Sequence, residues 1–178
     1  MENRVCDWSQ YYPRQESIRN SLRQQLTENK AFVVPFHAME FGLSPKEILD
    51  NAVQWSKQIE DNARVLQRFD TSGAKLSRLG TLRVGFLSAT GFHKSTTTAR
   101  ALRSVFELFT KPKFQIYCYS CQADDGSDTR AHIRQNCDEF FDVENMPHGE
   151  LSELLRKHKL HVLVDLTGYT KSPRAEVL

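Results

Sequence analysis

The period of the apolar positions changes near residue 80. Before that point, Ile18, Leu22 and Leu26 recur at helical spacing within RQESIRNSLRQQLTEN and predict an amphipathic helix. AFVVPFHAMEFG interrupts the pattern, with Pro35 and Gly42 inside it. LSPKE then opens a second helix. Ser44 suits the N-cap, Pro45 suits the first helical position, and Glu47 completes an S-x-x-E capping box. Ile48, Ala52 and Ile59 share one face of it, with Leu49 and Val53 beside them. DTSGAKLSRLG, residues 70–80, reads as a linker or long loop.

From Leu82 the apolar runs become short and strand-like. LRVGFL predicts a buried parallel strand. Leu102, Val105, Phe106 and Phe109 follow the i, i+3, i+4, i+7 rule and predict one helix, stopped at Lys111-Pro112. KFQIYCYS is a second strand, QADDGSDT a loop, and RAHIRQNC a short helix. EFFDV is a third strand. Leu151, Leu154 and Leu155 mark another helix, and HVLVDL is a fourth strand. Alternating strands and helices predict βαβ units, a parallel sheet and helices on both of its faces. The fold class is therefore α/β: part of a Rossmann-like lobe over residues 80–178, preceded by a helical lead-in and linker over residues 1–79.

Composition narrows the classes of partner. The chain has 178 residues, 26% of them charged, and a formal net charge of +2. That balance is typical of globular proteins and argues against nucleic acid or a membrane surface as partner. No apolar stretch approaches the roughly 18 residues of a membrane span. MENRVCDWSQYYPR is charged and lacks the apolar core of a secretory signal. The expected location is the cytoplasm, or cytoplasm and nucleus in a eukaryote. Of four cysteines, Cys118 and Cys121 form a CxxC, but no second CxxC completes a zinc set, and Cys118 falls within a strand. Reduced, partly buried thiols are expected, with no metal.

Ligands of open α/β sheets bind outside the carboxyl ends of the strands. Three loops leave those ends: SATGFHKSTTT, SCQADDGSDT and TGYTKS. The first is neither a Walker A loop nor G-x-G-x-x-G, which counts against a nucleotide- or NAD-dependent enzyme of the usual kind. Its hydroxyls either cap the following helix or hold a phosphate or sugar group. His93 is the one side chain in it able to exchange a proton near neutral pH. Asp124 and Asp125 fit a polar turn better than a catalytic carboxylate pair. Gly168 permits a positive φ or a close ligand approach, and Tyr169 either packs or contacts substrate.

Several collinear segments together carry a resemblance. VCDWSQY, PFHAMEFGLSPKEILDNAVQWSK, LRVGFLSATGFHKS, FQIYCYSCQADDGSDTR and VLVDLTGYTKSPRAEVL resemble the protein O-GlcNAc transferase and Spindly family over nearly the whole chain. The resemblance implies an inverting, two-lobed GT-B glycosyltransferase that needs no metal. The donor is UDP-GlcNAc, or GDP-fucose in Spindly-type members, and the acceptors are Ser or Thr hydroxyls of intracellular proteins. A tetratricopeptide superhelix usually precedes the catalytic region. His93 matches the histidine of the family's first β–α loop, a catalytic base or an organiser of the acceptor site. Where the family has S-x-D-F-x-x-H, this chain has SATGFH. Thr167, Gly168 and Tyr169 match the TGYT loop beside the active-site cleft, and the DDG of residues 124–126 matches a structural loop.

The resemblance places donor binding mostly in a C-terminal lobe beyond Leu178. The 178-residue chain is therefore expected to be a fragment, inactive by itself and prone to self-association through an exposed sheet edge. The alternatives are a non-catalytic protein-interaction module derived from this family, and a Spindly-type O-fucosyltransferase fragment.

Overall fold

The computed structural model describes residues 11–30, 33–66, 80–109, 112–169 and 174–178. Cys6, most of the expected linker (70–79), Lys111 and residues 170–173 lie outside the described residues. The chain forms two compact units, Met1–Asn62 and Ala63–Leu178.

The first unit is helical: α1 (Tyr11–Thr27), α2 (Pro35–Ala38), a 3₁₀ turn (Met39–Phe41) and α3 (Pro45–Ala63). Its small core joins Leu22, Ala38 and Leu43, with Ile18, Val33, Phe41 and Ile48 packed around them. Gly42 ends the 3₁₀ turn at a φ of 63°, a left-handed stop that glycine adopts without cost. The capping box of α3 forms as its residues require. The Glu47 N–H donates to Ser44 Oγ at 3.3 Å, and the Ser44 N–H donates to Glu47 Oε2 at 2.8 Å. Arg23 of α1 donates to the other Glu47 oxygen at 2.6 Å. Arg23 first, then the Ser44 N–H and hydroxyl, pull the Glu47 carboxyl down to about 2. The buried stripe of α3 departs from the apolar pattern. Leu49 and Val53 are exposed, and Asn51 is buried in their place. Its Nδ2 donates to the Val33 carbonyl at 3.0 Å, so a polar residue is buried because it has a partner.

The second unit is a four-stranded parallel sheet in the order β3-β2-β1-β4. The strands are β1 (Leu82–Ser88), β2 (Phe114–Ser120), β3 (Glu139–Asp142) and β4 (Val162–Asp165). The helices between them are α4 (Thr97–Leu102), α5 (Asp128–Asn136) and α6 (His148–Lys157). One face of the sheet carries Val84, Phe86, Ile116 and Cys118, packed with Ala99, Phe106 and Ile133 from the first two crossovers. The other carries Leu87, Tyr117 and Tyr119, packed with Leu151 and Leu155 of α6. Helices thus cover both faces, as right-handed crossovers in opposite directions along the sheet demand. Strand β1 is central, and its last five residues are all buried.

The single helix expected through Phe109 does not form. Helix α4 ends at Leu102, and a 3₁₀ turn covers Phe106–Leu108. The Val105 N–H donates to the Leu102 carbonyl at 2.9 Å and the Leu108 N–H to the Val105 carbonyl at 3.0 Å, both three residues back. Three residues per turn bring Phe106 and Phe109 to the same side. Both then reach Phe86, with ring centroids at 5.1 and 6.0 Å. Aromatic packing on the sheet overrides the helical period, while Leu102, Phe106 and Phe109 still pack on the core. Helix α5 also begins two residues before the expected RAHIRQNC, because Ser127 caps it by accepting the Arg130 N–H at 3.2 Å.

Two histidines make this unit sensitive to acid. His158 lies against Tyr117, Tyr119 and Phe141, and its Nδ1 shares a 2.7 Å hydrogen bond with the Tyr119 hydroxyl. His161 Nδ1 accepts the Arg83 N–H at 2.9 Å. Burial first, then Lys157 beside His158 and Arg83 beside His161, lowers both pKa values below the usual histidine value. The folded state therefore binds fewer protons than the unfolded one. Its stability is fully present above about pH 6.5 and is lost as pH falls through the lowered values. Hydrogen exchange of the β1 and β2 amides is expected to report progressive destabilisation as pH falls below about 6.5. The double variant His158→Phe, His161→Asn should flatten that slope. An equal slope in parent and variant would refute the assignment.

Candidate functional site

Strand β1 lies between β2 and β4, so the chain leaves β1 toward one side of the sheet and returns on the other at β4. This is the topological switch point, the place at which open α/β sheets bind ligands outside the carboxyl ends of their strands. The structure binds these two loops together. Thr167 is buried, and its Oγ1 accepts the Ala89 N–H at 2.8 Å. Asp165, the last residue of β4, accepts the Thr167 N–H at 2.9 Å and the Gly168 N–H at 3.0 Å. Gly168 then turns at a φ of 54°, and Tyr169 is partly exposed beyond it.

The loop after β1 reverses sharply. Gly91 and Phe92 are both left-handed, at φ values of 73° and 59°. For a non-glycine residue that conformation costs about 1–2 kcal/mol. Burying the Phe92 ring contributes about 1.5–3 kcal/mol in return. The ring is almost inaccessible and packs against Phe106 and Phe140. The Ser88 hydroxyl supports the turn by accepting the Phe92 N–H at 3.3 Å.

This turn delivers His93 to the neighbouring loop. Its Nε2 lies 2.7 Å from the Ala123 carbonyl oxygen. A carbonyl can only accept, so Nε2 carries the proton, and Nδ1 of the neutral ring holds the lone pair. The His93 carbonyl accepts from the Thr96 N–H and hydroxyl. Thr96 in turn caps α4 by accepting the Ala99 N–H at 3.3 Å. Capping thus accounts for one of the loop's hydroxyls, and α4 is only six residues long.

The acidic loop after β2 is a turn. Asp124 accepts the Gly126 N–H at 2.9 Å, and Asp125 accepts the Ser127 and Lys94 N–H groups at 3.1 Å each. Burial works against ionisation of Asp125, but the hydrogen bonds from Ser127 and Lys94 outweigh it and hold its carboxyl below the usual range. Its oxygens are therefore committed to backbone donors rather than to a reacting group.

The residue that the apolar pattern hides is Arg130. Its side chain is 1% exposed. The guanidinium donates to the Gly91 carbonyl, to Ser120 Oγ at 2.5 Å, to the Gln122 carbonyl at 3.4 Å and to Asp142 at the end of β3. Its Nε lies 3.3 Å from Asp124 Oδ1. The available signal was positional: Arg130 stands on the inward stripe of α5 with Ile133 and Cys137. An arginine at an apolar position of an amphipathic helix marks a buried charge with partners.

Cys118, Cys121 and Cys137 are buried free thiols. Burial pushes Cys121 up to about 11 and pushes Cys118 up as well, so neither offers a thiolate near neutral pH. Among the described residues no group of three or more His, Cys, Asp or Glu could hold a metal ion. Among the same residues, no helix is long and apolar enough to cross a membrane.

A parallel sheet in this order, covered on both faces and with two loops joined at its switch point, defines a Rossmann-like lobe. Residues 5–178 match the family model for glycosyl transferase family 41, and the chain belongs to that family of glycosyltransferases. It is 24% identical over 181 aligned residues to the UDP-N-acetylglucosamine–peptide N-acetylglucosaminyltransferase of Caenorhabditis elegans. It is 26% identical over 185 to a probable enzyme of the same description from Arabidopsis thaliana. Each alignment covers 97% of this chain but only 16% and 18% of the respective relative. A mutant of the Thermobaculum terrenum O-GlcNAc transferase superposes with a TM-score of 0.55 at 18% identity, covering 80% of this chain and 29% of that one. That likeness shows the fold: the sheet is that of the GT-B O-GlcNAc transferases, with a helical segment before it.

Proposed function

We propose that residues 80–178 form the acceptor side of a protein O-glycosyltransferase that moves GlcNAc from UDP-GlcNAc to Ser or Thr hydroxyls. The observation that carries this reading is His93 itself. It stands on the loop at the carboxyl end of the central strand, with Nε2–H committed to Ala123 and Nδ1 holding the lone pair. The family match along the chain and the names of both curated relatives support the donor and acceptor classes.

In this reading the acceptor oxygen attacks the anomeric carbon, and its proton passes to Nδ1. The bond from that carbon to the diphosphate breaks, and the electron pair leaves with UDP. Thr167 holds the loop after β4 against the loop after β1, and Gly168 and Tyr169 contribute to the acceptor wall. The diphosphate is stabilised by a second lobe of the GT-B kind, with no metal. Residues 1–178 alone are accordingly expected to turn over no donor.

The test is transfer by a polypeptide that combines these residues with a donor-binding lobe of the family. UDP-GlcNAc is offered in one arm and GDP-fucose in another, with a Ser/Thr peptide as acceptor and with a chelator present throughout. Transfer from UDP-GlcNAc alone supports the proposal. Transfer only from GDP-fucose moves the assignment to the fucosyl branch. Binding of a protein partner with no transfer from either donor favours an interaction module.

A further inference from the structure

Arg130 is fully buried, yet it touches none of the positions where substrate chemistry is placed. It contacts the two loops that hold His93. One terminal nitrogen, Nη1, donates to the Gly91 carbonyl and also reaches the Gln122 carbonyl at 3.4 Å. Gly91 lies two residues before His93, and Gln122 lies one residue before Ala123, the acceptor of the His93 ring proton. The same nitrogen donates to Ser120 Oγ at 2.5 Å, at the end of β2. The other terminal nitrogen donates to Asp142, which Arg134 also holds, at 2.7 Å. A planar fork of fixed geometry therefore sets the spacing of the two backbone segments that the imidazole bridges. The clearance there is small. A Cβ built on Gly91 would lie 2.6 Å from Gln122 Cβ and 2.7 Å from His93 Nε2.

We propose that Arg130 is the positioning residue for His93: by clamping the Gly91 and Gln122 carbonyls it holds the ring in the orientation that commits Nε2–H to Ala123 and presents Nδ1. The inference rests on the reading of His93 given above, but its geometric content can be tested without turnover. Lysine cannot replace this arginine, because one ammonium cannot reach Gly91, Ser120 and Asp142 in the plane that a guanidinium spans.

The experiment is nitrogen-15 NMR of the histidine rings in the 178-residue chain. It reads the exchange rate of the His93 Nε2 proton and its through-hydrogen-bond coupling to Ala123. Three variants are compared with the parent: Arg130→Lys, Arg130→Met and Asp142→Asn. Truncating a buried, multiply bonded arginine can prevent folding. Asp142→Asn frees one end of the clamp at a side chain that is 51% exposed, and Asp124, whose Oδ1 lies 3.3 Å from Arg130 Nε, stays beside the buried guanidinium. In folded Asp142→Asn and Arg130→Lys, proton exchange is expected to rise at least about tenfold and the coupling to disappear. In the two-lobed enzyme, Arg130→Lys should lower kcat by about tenfold or more and leave the donor KM within about twofold.

Unchanged exchange and coupling in a folded variant would overturn the proposal. So would failure of all three variants to fold, which would make Arg130 a core residue only. The two readings fail separately. If the ring loosens as expected but His93→Ala leaves transfer untouched, the positioning role stands and the catalytic role of His93 falls.

Discussion

Replacing His93 with alanine is expected to lower kcat of the two-lobed enzyme by about 10²–10⁴-fold, or about 3–5 kcal/mol of barrier. The reason lies in the ring's fixed tautomer. Because Nε2–H is spent on Ala123, Nδ1 is the nitrogen left to take the acceptor proton. His93→Gln separates the two roles that this ring combines. A glutamine amide can still donate to the Ala123 carbonyl, but it cannot accept a proton at neutral pH. If His93 is the base, glutamine should be as slow as alanine. If it only organises the acceptor site, glutamine should recover most of the activity, and alanine should raise the acceptor KM more than it lowers kcat. A change of less than about twofold in both constants for His93→Ala would mean that the loop merely turns the chain.

The largest expected loss of stability comes from Phe106→Ala, about 3–5 kcal/mol. Phe106 is 2% exposed and meets Phe86 edge to face at 5.1 Å and Phe92 at 6.4 Å. Truncating it opens a cavity under Phe92, the residue whose burial offsets the left-handed turn before His93. The loss should therefore be accompanied by faster exchange of amides in the 89–96 loop. Hydrogen exchange at β1 and β2 measures it within the sheet unit, whatever the helical unit does. Leu108→Ala is the control. Leu108 is 77% exposed on the same 3₁₀ turn, and its loss should change stability by no more than about 0.5 kcal/mol. A Phe106→Ala effect under about 1.5 kcal/mol would show that the aromatic cluster does not hold the loop.

Features made within one or two turns of chain are legible in the order of residues alone. The Ser44–Glu47 capping box, the strand at LRVGFL, the parallel α/β order and the polar turn at Asp124 and Asp125 all depend on neighbours a few residues away. The placement of the three loops at one edge follows from that order and from the handedness of the crossovers. The position of His93 on a carboxyl-end loop is therefore readable, but its chemistry is not. Its ring proton is committed to a carbonyl 30 residues later, and Thr167 is bonded to an amide 78 residues earlier. Those bonds exist only once β1, β2 and β4 lie side by side. The same holds for the break after Leu102, where Phe106 and Phe109 packing on Phe86 of the sheet outweigh a helical period. It holds again for Asn51 and Arg130, polar residues buried where an apolar pattern alone would exclude them. Sequence period determined which elements form and which way they face. Tertiary structure decided which polar groups could be buried, because a buried polar group is tolerated only where distant segments supply its partners.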